Sequence, residues 1–205
     1  MKADFSRVIS LTLITFGLLI VGWNSISFLQ GYLSVENIEY TKADVERVSQ
    51  PQMKGKELKK KELTLYPNKP LEGEKLGELT IPKLNRVFPI YEGTSAEVLK
   101  KGVGHFSKSV LPGESNNSIL SGHRDTVFRG LGELKIHDPL VVTTDFGEFL
   151  YKIRRIKIVD AEDRTVMTPK PKGTLTVTTC YPFYFIGDAP QRYVITADLI
   201  SSKRN

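Results

Sequence analysis

Cysteine is almost absent from this chain. Its 205 residues include one, Cys180, so no disulfide can close within the chain. A lone thiol outside a reducing compartment is buried and inert, paired with another chain, or reactive. With one cysteine and three scattered histidines, the chain has no zinc-ligand spacing. The acidic pair Glu162 and Asp163 shows no ligand spacing either, so no metal or other cofactor is expected. There is no glycine-rich phosphate loop with its lysine, which leaves nucleotide chemistry unsupported. His123-Arg124-Asp125 lacks the downstream asparagine that a kinase catalytic loop requires, since Val127-Phe128-Arg129-Gly130 supplies none. The net charge of +6 suggests an anionic neighbourhood. The basic residues do not interleave with aromatic ones, however, so a membrane surface or an anionic cell wall suits the chain better than nucleic acid. No internal repeat is evident.

One long apolar run is present. Residues 8–29 carry no charged side chain and are long enough as a helix to cross a hydrocarbon core of ~30 Å. Lys2 and Arg7 precede the run, and Glu36 and Glu39 follow it, which places the N-terminus in the cytoplasm and the remainder outside. Ser25-Ile26-Ser27 is a weak signal-peptidase site, and the run is long for a signal peptide, so an uncleaved anchor is expected. The predicted organisation is a cytoplasmic N-terminus at 1–7, a transmembrane helix at 8–29, an extracytoplasmic tether at 30–75, and a folded domain at 76–205. Within the tether, Val35, Ile38, Val45 and Val48 have helical spacing up to Pro51, and a lysine-rich solvated stretch follows at 54–61.

From Leu76 the texture changes to short β-like runs. They are Leu76–Ile81, Val87–Tyr91, Ser118–Ser121, Leu140–Thr144, Glu148–Val159, Leu175–Cys180 and Tyr193–Ile200. Ser95–Lys101 reads as a short helix capped by Thr94 or Ser95. Hydrophobic content of 40% is enough for one core. Many short strands with closely spaced turns predict an all-β sandwich or barrel.

Cys180 ends a strand-like run, Thr174-Leu175-Thr176-Val177-Thr178-Thr179. A thiol becomes a useful nucleophile beside a base or in an electropositive setting. Of the histidines, His123 ends a strand-like run in a polar turn, whereas His105 and His137 read as structural or surface residues. Alternation puts Thr176, Thr178 and Cys180 on one face of their strand. It puts Arg192, Val194, Thr196 and Asp198 on one face of the last strand. If the two strands are neighbours, Arg192 shares a surface with Cys180 and can donate to a carbonyl oxygen as it gains charge.

These segments, in this order, resemble the sortase family of cysteine transpeptidases. The Thr-Leu-x-Thr-Cys strand of that family is similar to Thr176-Val177-Thr178-Thr179-Cys180, with valine in place of leucine. Its histidine motif resembles Ser121-Gly122-His123-Arg124-Asp125-Thr126, and its last-strand arginine matches Arg192 in Pro190-Gln191-Arg192-Tyr193. Gly77-Glu78-Leu79-Thr80-Ile81-Pro82 and Pro89-Ile90-Tyr91-Glu92-Gly93 resemble a sortase domain start. The likeness covers Leu76 to Ile200, and Cys180-Tyr181-Pro182 is most similar to class D.

The resemblance implies a closed eight-stranded β-barrel with short helices in its connections. It implies cleavage of a Leu-Pro-x-Thr-Gly or Leu-Pro-x-Thr-Ala sorting signal after Thr by Cys180, with His123 as acid/base and Arg192 as oxyanion or substrate stabiliser. The acyl group would pass to an amine of a peptidoglycan precursor at the membrane of a Gram-positive-type bacterium. Its partners would be secreted proteins bearing the signal. Thr179, Val166, Met167, Tyr181 and Phe183 are the substrate-binding candidates, with the aromatic rings alternatively capping one end of the barrel. Two other readings stay open on the residues alone: a cysteine peptidase that only hydrolyses, and a non-enzymatic wall-binding β-domain with Cys180 buried. The papain order, cysteine before histidine, is reversed here.

Overall fold

The computed structural model describes residues 11–23, 25–26, 36–37, 65–185 and 187–205. Its first strand, β1 (Glu36–Asn37), is a two-residue pairing to the strand at Arg86–Glu92. The remaining strands are β2 (Lys75–Ile81), β3 (Arg86–Glu92), β4 (Val103–His105), β5 (Asn117–Ser121), β6 (Pro139–Thr144), β7 (Gly147–Asp160), β8 (Thr174–Tyr181) and β9 (Gln191–Arg204). They pair in the order β3-β2-β6-β7-β9-β8-β5-β4, and β4 pairs back to β3. The expected eight-stranded barrel is therefore closed, and closure leaves no edge within the ring. Two of the pairings are parallel, β3–β4 and β5–β8. Short helices occupy the connections at Pro82–Leu84, Ala96–Lys101, Leu131–Glu133 and Arg164–Met167.

Alternation along the strands fills the barrel. Leu79 and Ile81 of β2, Phe88 and Ile90 of β3, Leu140 and Val142 of β6, and Leu175 and Val177 of β8 are all fully buried. Phe128, in the connection after β5, meets Phe88 edge-on with ring centroids 5.8 Å apart. Each such side chain contributes about 1.5–3 kcal/mol by leaving water. The longest strands, β7 and β9, pair over their whole length with two irregularities, at Leu150/Tyr151 and Ile153/Arg155. They form the wall on which β8 lies.

Seven of the eight barrel strands fall where the hydrophobic pattern predicts them. The strand missed is β4, whose three residues are too few to show a period. The packed domain also starts before residue 76. Leu65 packs against the core, and the Tyr66 hydroxyl donates to the Pro112 carbonyl at 2.8 Å. Burial pushes the Tyr66 phenol up to about 12, so it stays a donor at any ordinary pH.

Of the expected membrane span at 8–29, the described part, residues 11–23 and 25–26, is helical with exposed side chains. Among the described residues, no helix is long and apolar enough to cross a membrane. The rest of that span, residues 1–7 and the lysine-rich part of the tether lie outside the described residues. The helical spacing predicted from Val35 is replaced at Glu36 and Asn37 by strand pairing.

Candidate active site

Three neighbouring strands, β5, β8 and β9, build the site. Cys180 is the penultimate residue of β8, and it sits opposite Arg192 in the antiparallel register with β9. On its other side β8 runs parallel to β5, with Ser121 level with Thr178. Gly122 extends that pairing: its N–H donates to the Thr178 carbonyl at 3.3 Å. His123 follows, two residues beyond Ser121 as Cys180 is two beyond Thr178. The period of two then places His123, Cys180 and Arg192 in a row on the outer face of the barrel. Adjacent strands lie about 4.8 Å apart, so this row brings the three groups within reach of one substrate.

All three line a single open cleft of about 440 Å³, together with Arg124, Asp125, Ala161, Gly187, Asp188 and Ala189. Cys180 is a free thiol, partly accessible to solvent, and His123 is exposed. The Arg192 Nη1 donates to the carbonyls of Ala189 and Gln191, both at 3.0 Å. A guanidinium has five N–H donors, so these two bonds use only part of its capacity. A thiol in one cleft with an imidazole and a guanidinium is an arrangement that suits attack on a carbonyl carbon. Among the described residues there is no cluster of three or more histidine, cysteine or acidic side chains that would hold a metal ion.

The five substrate-binding candidates separate in space. Val166 and Met167 line a smaller pocket of about 180 Å³ next to the cleft, sharing Ala161 and Arg192 with it. Its other walls include Phe106, Ile119 and Thr178, which makes it largely apolar. Their short helix is capped by Asp163, which accepts from the Thr165 N–H at 2.8 Å. Buried Asn117 holds the connection down, donating to the carbonyls of Val166 and Thr168 at 2.9 and 3.1 Å. The Thr176 hydroxyl donates to Asn117 Oδ1 at 2.7 Å and fixes the amide. The sequence showed only a pair of asparagines at this point, and nothing in their pattern revealed the role.

Thr179 does not line either pocket. It faces inward with Leu175 and Val177, is 3% exposed, and donates its hydroxyl to the Gly122 carbonyl at 2.7 Å. It ties the strand of Cys180 to the residue before His123. Tyr181 and Phe183 likewise lie away from the cleft. Both rings pack on Tyr193, with centroids 6.1 and 5.1 Å from it, and close one end of the barrel. Tyr184 and Phe185 in the same connection are the exposed rings.

Gly122 has a second constraint. A Cβ there would lie 2.7 Å from the Phe128 ring and 2.8 Å from Val127. Only glycine lets the chain approach Phe128 this closely while presenting its carbonyl to Thr179.

The other histidines have structural places. His105 is 1% exposed. Its Nδ1 donates to the Glu92 carboxylate at 2.6 Å, and its Nε2 donates to the Val110 carbonyl at 3.0 Å. Burial alone would raise the Glu92 carboxyl. Hydrogen bonds from His105 and Ser107, with the charges of His105 and Lys69, outweigh burial and hold it below its ordinary value. His137 is exposed in a turn with φ of 79°.

The chain matches the family model for the sortase domain over residues 79–200. It is 50% identical over 128 residues to Sortase D of Bacillus subtilis (strain 168), a match covering 62% of this chain and 65% of that protein. The match spans less than two thirds of the length of the curated relatives. Among solved structures, the chain is similar to the catalytic domain of B. anthracis SrtD, with 49% identity and a TM-score of 0.58 over 66% of this chain and 93% of that one. It is also similar to a Clostridium perfringens Sortase D5 transpeptidase, with 29% identity and a TM-score of 0.59 over 64% of this chain and 82% of that one. The matched segment runs from β2 to β9 and includes His123, Cys180 and Arg192. On that match, the chain belongs to the sortase family.

Proposed function

We propose that this protein is a membrane-anchored cysteine transpeptidase that cleaves a Leu-Pro-x-Thr-Gly or Leu-Pro-x-Thr-Ala signal after Thr and transfers the acyl group to a peptidoglycan amine. The observation that carries the reading is that His123, just past the end of β5, Cys180 of β8 and Arg192 of β9 line one cleft. Membership of the family and the likeness to Sortase D support it.

The chemistry follows from the groups present. The Cys180 thiolate attacks the carbonyl carbon of the signal's threonine, and the carbonyl π electrons move to oxygen. An Arg192 N–H donates to that developing oxyanion. The tetrahedral intermediate collapses to a thioester as the C–N bond breaks, and His123, as imidazolium, protonates the departing amine. The now neutral imidazole takes a proton from the incoming amine, which attacks the thioester carbonyl. Collapse releases the thiolate and forms the new amide. The apolar pocket with Val166 and Met167 accepts the Leu-Pro part of the signal. The apolar run at 8–29 holds the barrel at the outer surface of the cytoplasmic membrane in a Gram-positive-type cell, near secreted clients and wall precursors.

The test is turnover of quenched Leu-Pro-x-Thr-Gly and Leu-Pro-x-Thr-Ala peptides by the 205-residue chain, with and without an amine acceptor. An amide-linked transfer product is expected only with the acceptor, and Cys180→Ala should give none. Cleavage that never yields transfer product would leave a hydrolase. Silence on every signal peptide would refute the enzyme reading.

A further inference from the structure

Arg124 stands next to His123, and its pattern in the sequence gives no sign of a role. In the structure its Nη2 donates to the Phe185 carbonyl at 2.6 Å and to the Gly187 carbonyl at 2.9 Å. Those acceptors are 61 and 63 residues away in the chain, in the connection from β8 to β9. That connection is secured at both ends. At its start, Tyr181 and Phe183 pack on Tyr193. At its end, the Ala161 N–H donates to the Pro190 carbonyl at 3.0 Å and Arg192 to that of Ala189 at 3.0 Å. Its middle is exposed: Tyr184 is 91% and Phe185 45% accessible. Among the described residues, the hydrogen bonds reaching this middle from outside the connection both come from Arg124.

The middle matters because it runs into one wall of the cleft, where Gly187, Asp188 and Ala189 face Cys180 and His123. Gly187 has φ of +94°, a bend that glycine adopts without strain. We infer that Arg124 is a positioning residue: it clamps the β8–β9 connection to the His123 turn and sets the width of the cleft that receives the signal peptide. The inference rests on the transpeptidase reading for its substrate and deepens that reading by naming a residue that governs fit. A guanidinium suits the task better than an ammonium, because its planar, always charged donors hold a fixed geometry with less ordering per bond. The clamp joins two loops that carry a catalytic group or face one, so its loss acts on substrate fit more than on the thiol.

The experiment compares the 205-residue chain with its Arg124→Ala and Arg124→Lys variants. The signal peptide that wild type turns over gives KM and kcat, iodoacetamide gives the alkylation rate of Cys180, and limited chymotrypsin gives nicking at Tyr184 and Phe185. For Arg124→Ala, KM should rise about five- to tenfold, the range expected for charged hydrogen bonds near the surface. Its kcat and alkylation rate should stay close to wild type, while nicking accelerates. Arg124→Lys, keeping the charge without the fork, should fall between the two. Unchanged KM with unchanged nicking would overturn the clamp, and so would a fall in kcat at constant KM. If wild type turns over no signal peptide, the transpeptidase reading fails, and the nicking rates still decide whether Arg124 holds the connection.

Discussion

Replacing Thr179 with valine tests how the strand of the nucleophile is coupled to the histidine turn. The side chain keeps its shape and loses its hydroxyl, so the buried Gly122 carbonyl loses the donor that now sits at 2.7 Å. Leaving a buried acceptor unsatisfied costs about 1–3 kcal/mol. Burying a methyl group in place of the hydroxyl returns about 0.8 kcal/mol. The net loss is about 1–2 kcal/mol, and for a domain of this size that lowers Tm by about 3–6 °C. The freed carbonyl belongs to the residue before His123, so activity should fall as well. A displacement of a fraction of an ångström in a catalytic group is expected to reduce kcat/KM about tenfold, mainly through kcat. Thr179→Ser retains the donor and should recover both properties. Thermal denaturation and steady-state kinetics on the three chains measure this directly. An unchanged Tm, or a rise in KM alone, would contradict the reasoning and return Thr179 to the substrate-binding role first expected for it.

Three further outcomes are expected. Cys180→Ala should abolish signal cleavage, His123→Ala should lower kcat by about 10²–10⁴, and Arg192→Ala should lower it somewhat less, as peptide turnover assays will show. Gly122→Ala should destabilise the fold by about 1–3 kcal/mol through overpacking against Phe128, measured by urea denaturation. The third concerns Glu92, whose carboxyl lies below its ordinary value in the folded state. Its contribution to stability is complete above the unfolded value near about 4.3 and is lost as pH falls through the folded value. The urea midpoint should therefore drop on acidification below about pH 4, and Glu92→Gln should flatten that dependence. The same variant removes the carboxylate that accepts from buried His105 and should lose about 1–3 kcal/mol at neutral pH; a variant as stable as wild type there would refute the pair.

The candidate site residues and those around them differed in how far the linear chain revealed their places. The shared face of Cys180 and Arg192 was legible because a period of two assigns faces without reference to the rest of the molecule. His123 stood out by its polar turn after a strand, and it lines the same cleft. β4 was invisible because three residues carry no period, and its place between β3 and β5 is fixed by parallel pairing to β3 and antiparallel pairing to β5. Thr179 stood next to Cys180 in the motif, while its own alternation points it into the core. Tyr181 and Phe183 were left between two expectations, because aromatic rings in a connection have the same composition whether they bind a ligand or cap a barrel; their packing on Tyr193 fits the second.

By itself the sequence determined the local facts: an apolar run at 8–29, strands from alternation, a lone thiol at a strand end and an arginine at the start of the last strand. These follow from side-chain period and chemistry, which are properties of near neighbours in the chain. Only the tertiary structure decided that β5 lies parallel beside β8, which brings His123, two residues past the end of β5, to the cleft that Cys180 lines. The fold likewise decided that Arg124 reaches across 63 residues to Gly187 in the wall of the cleft. Such contacts depend on which strands the closing barrel makes adjacent, and barrel closure is a property of all eight strands together.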